Sequence, residues 1–269
     1  MDGKEFKGVT YMQKRLGIFM WFGYRIPVPE RVRIIRETGF ETVLHWWEDL
    51  ETEGFTKEEQ VYIIRKEGLE IENAHLQFNN VNHLWLDTLD GQAVFEGYLS
   101  DIDGLANHDI PIAVFHLTSG KTPPLVSDIG MYRIRKLLER AEKHDIQLAM
   151  ENVRDVHILN HVLDLIKSPM LGLCYDSGHD YIWSPAPYEL LEKYKDRIFA
   201  VHLHDNMGQN DDHLAPGKGE VNWNVVREGI ENSVYMGAYT LECDSTENLV
   251  LRTPLEHLMM CYENACRVL

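Results

Sequence analysis

Histidine, aspartate and glutamate side chains stand at the ends of apolar, β-favouring runs throughout this 269-residue chain, a pattern that can hold a divalent cation or move protons. The densest example runs from Phe199 to Trp223, FAVHLHDNMGQNDDHLAPGKGEVNW. There an apolar lead (Ile198 to Val201) meets His202, His204 and Asp205, and a polar loop then brings Asp211, Asp212 and His213 before a Pro-Gly-Lys-Gly turn. A strand fixes ligand positions and the loop after it supplies more. Other apolar runs end in His75, in His116, in Glu151, in Asp176 with His179 three residues on, and in Glu242. An ionised carboxylate placed after Leu-Ala-Met (Glu151) or Tyr-Thr-Leu (Glu242) is destabilised by roughly several kcal/mol unless a cation or hydrogen bonds compensate it. Glu151, Asp176, His202 and Glu242 supply three carboxylates and one imidazole. That set suits Mn²⁺, Mg²⁺ or Co²⁺ with positions left for substrate oxygens, and each added imidazole moves the preference towards Zn²⁺. His179 is a further ligand, a proton shuttle or a substrate hydrogen-bond donor.

The elements that position these groups alternate between strand and helix. Strands are expected at 15–22, 41–47, 70–78, 110–117, 146–153, 170–176, 198–205 and 238–243. Helices are expected after Pro29, after Thr56 with Glu59 completing a capping box, and near 92–106, 129–143, 157–167, 186–196, 222–232 and 254–267. Eight such units predict an α/β chain folded as one (β/α)8 TIM barrel domain over 1–269, with its site at the C-terminal ends of the strands. An open doubly wound sheet fits the same alternation, but no Gly-rich phosphate fingerprint follows the first strand. Period two along strand seven places His202 and His204 on the face of Ala200, with Val201, Leu203 and Asp205 opposite.

Charge narrows the partners. With 43 acidic against 26 basic residues the net charge is −17, a poor platform for a phosphate backbone, so nucleic acid is not expected. Cys174, Cys243, Cys261 and Cys266 lack paired short spacing, and MDGKEFKGVT lacks an apolar leader. No run approaches the ~18 apolar residues of a membrane span, so a cytoplasmic protein is expected.

Taken as an ordered set, ENVRD (151–155), CYDSGHD (174–180), VHLHDN (201–206), HLAPGKGEVNW (213–223) and YTLECD (239–244) resemble the xylose isomerase-like TIM barrel superfamily. It holds sugar and sugar-phosphate isomerases and epimerases, and also the endonuclease IV and AP endonuclease 2 type of abasic-site nuclease. The isomerase resemblance implies one divalent metal on Glu151, Asp176, His202 and Glu242. Glu151 and Glu242 would then be the catalytic pair that moves a proton through a metal-stabilised enediolate of a sugar, sugar phosphate or polyol. The endonuclease resemblance implies three zinc ions: one on His75, His116 and Glu151, a second on Glu151, Asp176, His202 and Glu242, and a third on His179, Asp211 and His213. The expected function is the isomerase or epimerase, with the nuclease as the alternative and a non-catalytic small-molecule-binding barrel as the second.

Weaker candidates complete the rim. Phe19, Trp21, Trp46, Trp47 and Trp85 could wall a sugar-sized pocket, and Trp47, His204 and Lys121 are substrate-binding candidates. Lys121 and Arg154 could hold a phosphate or acid group, His45 and Glu48 end strand two, and Asp205 could orient a ligating histidine. A homo-oligomer is compatible with all of this.

Overall fold

Eight parallel strands close into a barrel in sequence order: β1 (Leu16–Phe19), β2 (Thr42–Trp46), β3 (Glu70–His75), β4 (Ile112–Phe115), β5 (Gln147–Glu151), β6 (Leu171–Asp176), β7 (Ile198–Leu203) and β8 (Tyr239–Leu241). Leu16 pairs with Tyr239 and Ile18 with Leu241, which seals the sheet and excludes the open alternative. The structure is a computed structural model that describes residues 14–50, 52–245 and 252–269. Apart from Lys14, the polar lead-in lies outside the described residues.

The helices between strands begin and end where their sequences say. α1 (Val28–Thr38) opens on Pro27 and Pro29 and stops at Gly39, whose φ of 110° suits glycine. α2 (Lys57–Lys66) carries the full Thr56–Glu59 capping box. α3 (Leu89–Asn107), α4 (Asp128–His144) and α5 (Val156–Leu165) follow β3, β4 and β5; α8 (Trp223–Glu231) and α9 (Pro254–Val268) follow β7 and β8. Two helices lie between β6 and β7. α7 (Glu189–Lys193) is shorter than the 186–196 expected, and α6 (Ser177–Trp183) was not expected at all. SGHDYIW has no 3.6-residue apolar stripe; the helix exists because Asp176, the last residue of β6, caps it by accepting from His179 N at 2.7 Å.

Strand alternation divides the core in two. Outward residues such as Leu148, Met150, Leu173, Tyr175, Val201 and Leu203 pack beneath the helices, each stabilising the fold by roughly 1.5–3 kcal/mol through burial. Inward residues form a smaller plug, Ile112, Val114, Ala149, Cys174 and Ala200. Continuing outward along those inward rows towards the C-terminal mouth, the next side chains are Glu151, Asp176 and His202, so the apolar plug is the floor beneath them. Among the described residues no helix is long and apolar enough to cross a membrane.

Candidate metal centre

Glu151, at the last position of β5, is the hub. Its carboxylate oxygens lie 3.2 Å from His75 Nε2, 3.4 Å from His116 Nε2, 3.0 Å from His179 Nδ1 and 3.1 Å from His202 Nδ1. His202 Nδ1 is also 3.1 Å from Glu242 Oε1, so one imidazole nitrogen stands between the two carboxylates proposed as a catalytic pair. Asp176 reaches His204 Nε2 at 3.0 Å and His179 Nδ1 at 3.6 Å. On the far side of His179, Asp211 Oδ2 lies 3.1 Å from His179 Nε2 and 3.5 Å from His213 Nε2. The donors fall into groups whose ligand atoms lie within 4.8 Å of one another. One is His75, His116 and Glu151; another is Asp176, His202 and Glu242; a third is His179, His204, Asp211 and His213. Further groups through Glu151, one of them including Cys174, link them.

Neighbouring groups aim these ligands. His75 Nδ1 lies 2.7 Å from the carbonyl of Leu76 and His213 Nδ1 lies 2.7 Å from the carbonyl of Glu242. A carbonyl only accepts, so each Nδ1 carries a proton and each Nε2 is the nitrogen turned to the centre. Asn152 clamps the ends of β5 and β6, donating to Asp176 O and accepting from Asp176 N, both at 2.8 Å. Gly178 is required beside His204, because a Cβ there would lie 2.0 Å from His204 Cε1.

Both ring nitrogens of His202 and of His204, Asp176 Oδ2 and His179 Nδ1 are buried without a hydrogen-bond partner. Such orphans are destabilising in an apolar interior. Close approach without hydrogen-bond geometry is how donor atoms sit when they converge on a common point, and a divalent cation fits these residues. The electrostatics agree. Burial pushes Glu151 upward, but His116 and His202 outweigh it and hold the carboxyl well below its usual range. Burial likewise opposes ionisation of Asp176, and His179 and His204 bring it down. Against burial, His202 is raised well above the ordinary imidazole value by Cys174, Glu242 and Glu151, and His179 by Asp176, Asp211 and Glu151. His213 is raised to about 9, against burial, chiefly by Asp211. Burial dominates at His116 and lowers it.

Above the donors opens a cleft of about 710 Å³, walled by Phe19, Trp21, Trp46, Phe78 and Trp183, with Lys121 and Arg154 among its lining. Several rim candidates lie elsewhere. Trp47 is 2% exposed and packs outward against His45, His108 and Gly104, because alternation turns it away from the lumen that Trp46 faces. Trp85 is buried below the rim, donating to Leu117 O at 2.7 Å. His45 faces the helices, bonded to Lys57 O at 3.1 Å and pushed down to about 4 by burial. Glu48 accepts from the Trp46 indole and does not line the cleft. Asp205 orients no histidine: it accepts from Asn206 N, Gly217 N, Val221 N and Trp223 Nε1, and so anchors the loop. Sequence reasoning missed Trp183, whose short helix carries no periodic signal, and Phe78, which the expected strand 70–78 included but which lies past the end of β3 at His75; it also passed over Cys174, which lies beside Glu151 and His202.

The model of the xylose isomerase-like TIM barrel family matches residues 32–260. The chain belongs to that family. A D-tagatose 3-epimerase-like protein superposes with a TM-score of 0.72 at 22% identity over 94% of this chain and 98% of its own. The IOLI protein, solved with a bound zinc atom, superposes with a TM-score of 0.78 at 13% identity over 94% and 97%. In sequence, the chain is 26% identical over 160 residues to the probable endonuclease 4 of Thermoplasma volcanium, 51% of this chain and 54% of that protein. The chain spans 32%, 62% and 54% of the length of three curated relatives it matches.

Proposed function

We propose that this xylose isomerase-like barrel is a divalent-metal-dependent isomerase or epimerase of a sugar, sugar phosphate or polyol. The observation that carries the reading is the placing of Glu151 and Glu242 on either side of His202, at the floor of a cleft sized for a small molecule. Asp176 completes the donor set, and the superposition on a D-tagatose 3-epimerase-like protein supports the substrate class. A cation bound by Glu151, Asp176, His202 and Glu242 would supply positive charge beside the substrate's carbonyl and hydroxyl oxygens, acidifying the C–H between them. Glu151 and Glu242 then take and return the proton, from opposite faces in an epimerase. His179, with Nδ1 towards Glu151 and Nε2 towards Asp211, positions both carboxylates at the cleft. Trp46, Phe78 and Trp183 exclude water and pack the carbon skeleton.

A second reading, zinc-dependent phosphodiester hydrolysis, is favoured by one observation: Asp211 and His213 close on His179, so further cations have ligands here. Charge opposes it, since −17 repels a duplex. The imidazoles among the donors lean towards zinc, and the carboxylates towards manganese or magnesium.

The test couples metal analysis with two assays. Exchange of a substrate C–H with solvent deuterium across a panel of ketoses and polyols, abolished by chelation and by Glu242→Gln, is the expected result. Nicking of an abasic-site oligonucleotide with no exchange on any sugar would sink the reading in favour of the second.

A further inference from the structure

We propose that the substrate carries a carboxylate or phosphate group and that Arg154 and Lys121 bind it at the rim of the cleft. The proposal rests on reading that cleft as the substrate site, and it names the substrate class.

Sorting the charges that line the cleft isolates these two. The carboxylates of Glu151, Glu242 and Asp211 are engaged by the imidazoles of His202, His179 and their neighbours, and Asp244, the fourth carboxylate of the lining, is partnered as well. Arg31 is 2% exposed and engaged by Glu53 at 2.9 Å and by the carbonyl of Ile26 at 2.9 Å. Lys121 and Arg154 line the same cleft, and neither forms an ion pair with a carboxylate among the described residues. Both come from loops that follow paired neighbours, β4 and β5, so they share one sector of the mouth.

Both are exposed; the Arg154 side chain is placed by a ring and the Lys121 backbone by a turn. The Arg154 guanidinium lies 4.5 Å over the Trp183 ring, and Trp183 stacks on His179 at 4.6 Å with planes 21° apart. This column runs from the rim to the donor cluster. A guanidinium over a ring has no carboxylate partner in that contact, and its N–H groups can bind an oxyanion in a two-pronged fashion. Lys121 follows a turn in which Asn82 bonds both the carbonyl and the amide of Ser119 at 2.9 Å, and Gly120 takes a φ of 76°. A chain of net charge −17 repels anions at long range, so an anionic substrate needs local cations at the entrance.

The test is calorimetric titration of the metal-loaded protein with D-glucuronate, D-glucose 6-phosphate and D-glucose. At least one anion should bind about tenfold or more tightly than glucose, as charge-assisted hydrogen bonds provide, and which anion wins separates carboxylate from phosphate. Lys121→Ala and Arg154→Ala should each narrow that advantage by about tenfold. Arg154→Lys, which keeps the charge and loses the fork, should restore part of it, and added salt should narrow it. The proposal is overturned if no anion outbinds glucose, which is the result expected of merely solvated charges. It is overturned equally if the advantage survives both alanine variants, because the anions would then be held by the metal. Failure of the isomerase reading is separate: it appears as absent deuterium exchange on every sugar while the cation-dependent anion preference persists.

Discussion

His204 and His213 stack face to face, with ring centroids 4.0 Å apart and planes 10° from parallel. One ring follows β7 and the other comes from the returning loop, where His213 has a left-handed φ of 46° that is strained for a residue with a Cβ. Both Nε2 atoms approach Asp211, at 3.7 and 3.5 Å. With His179 and Asp211 they form a group whose ligand atoms lie within 4.8 Å of one another, an arrangement that fits a shared cation.

Gly178→Ala tests that pair. The new Cβ would sit 2.0 Å from His204 Cε1 and 2.4 Å from its Nδ1, so the ring must move and carry the stack with it. The expected outcome is a loss of about 1–3 kcal/mol in stability and of about tenfold or more in affinity for the weakest-bound metal. Thermal melts and competition with a chromophoric chelator measure these. Unchanged metal affinity would remove His204 and His213 from the ligand set.

Glu151→Gln keeps the shape of the hub and removes its charge. Four imidazoles converge on that carboxylate, so metal content should fall, and turnover should drop by about 10²–10⁴-fold. Metal analysis and deuterium exchange read the two effects. Full turnover would rule out Glu151 as the base.

Adjacent tryptophans should behave in opposite ways. Trp46→Ala opens the cleft wall, and KM should rise about two- to tenfold with little change in Tm. Trp47→Ala empties a buried site under the helices, and the fold should lose about 3–5 kcal/mol while KM stays as it was.

Asp180 gives the stability a pH dependence. Burial raises its carboxyl from 3.8 to about 6, partly offset by bonds from Tyr188 N and Tyr175. The folded state therefore holds a proton that the unfolded chain has released between these values. The contribution is present in full below about pH 4 and is lost as pH rises through 6. Relative to Asp180→Asn, the wild-type protein should lose up to about 3 kcal/mol across that window, measured by urea unfolding in chelator. Parallel pH curves for the two proteins would show that Asp180 is not protonated when buried.

Where the sequence was legible, the reason is periodicity. Inward rows end in His75, Glu151, Asp176, His202 and Glu242, so reading each strand's last residue found the donors that the barrel brings together. Strand two shows the limit of that method. HWW offers three candidates in a row, and only the direction of Trp46 decides that it meets the cleft while His45 and Trp47 turn to the helices. Phe78 and Trp183 were missed because their positions depend on a loop and on a helix of seven residues whose cap is Asp176. Asp205 was misread because its partners, Gly217, Val221 and Trp223, are distant in sequence and mostly backbone.

Asp205 has one more implication. Its carboxylate receives the amides of Asn206, Gly217 and Val221 and the indole of Trp223, so both ends of the segment 206–222 are fastened to one side chain. A segment closed in this way is a cassette, and its interior is tied to the barrel mouth as well, by the Asp205–Leu214 bridge and by His213 Nδ1 on the carbonyl of Glu242. Asp211 and His213 ride on the cassette, whereas Glu151, Asp176 and His202 belong to the strands. The group of His179, His204, Asp211 and His213 therefore depends on the loop in a way that the strand-borne donors do not.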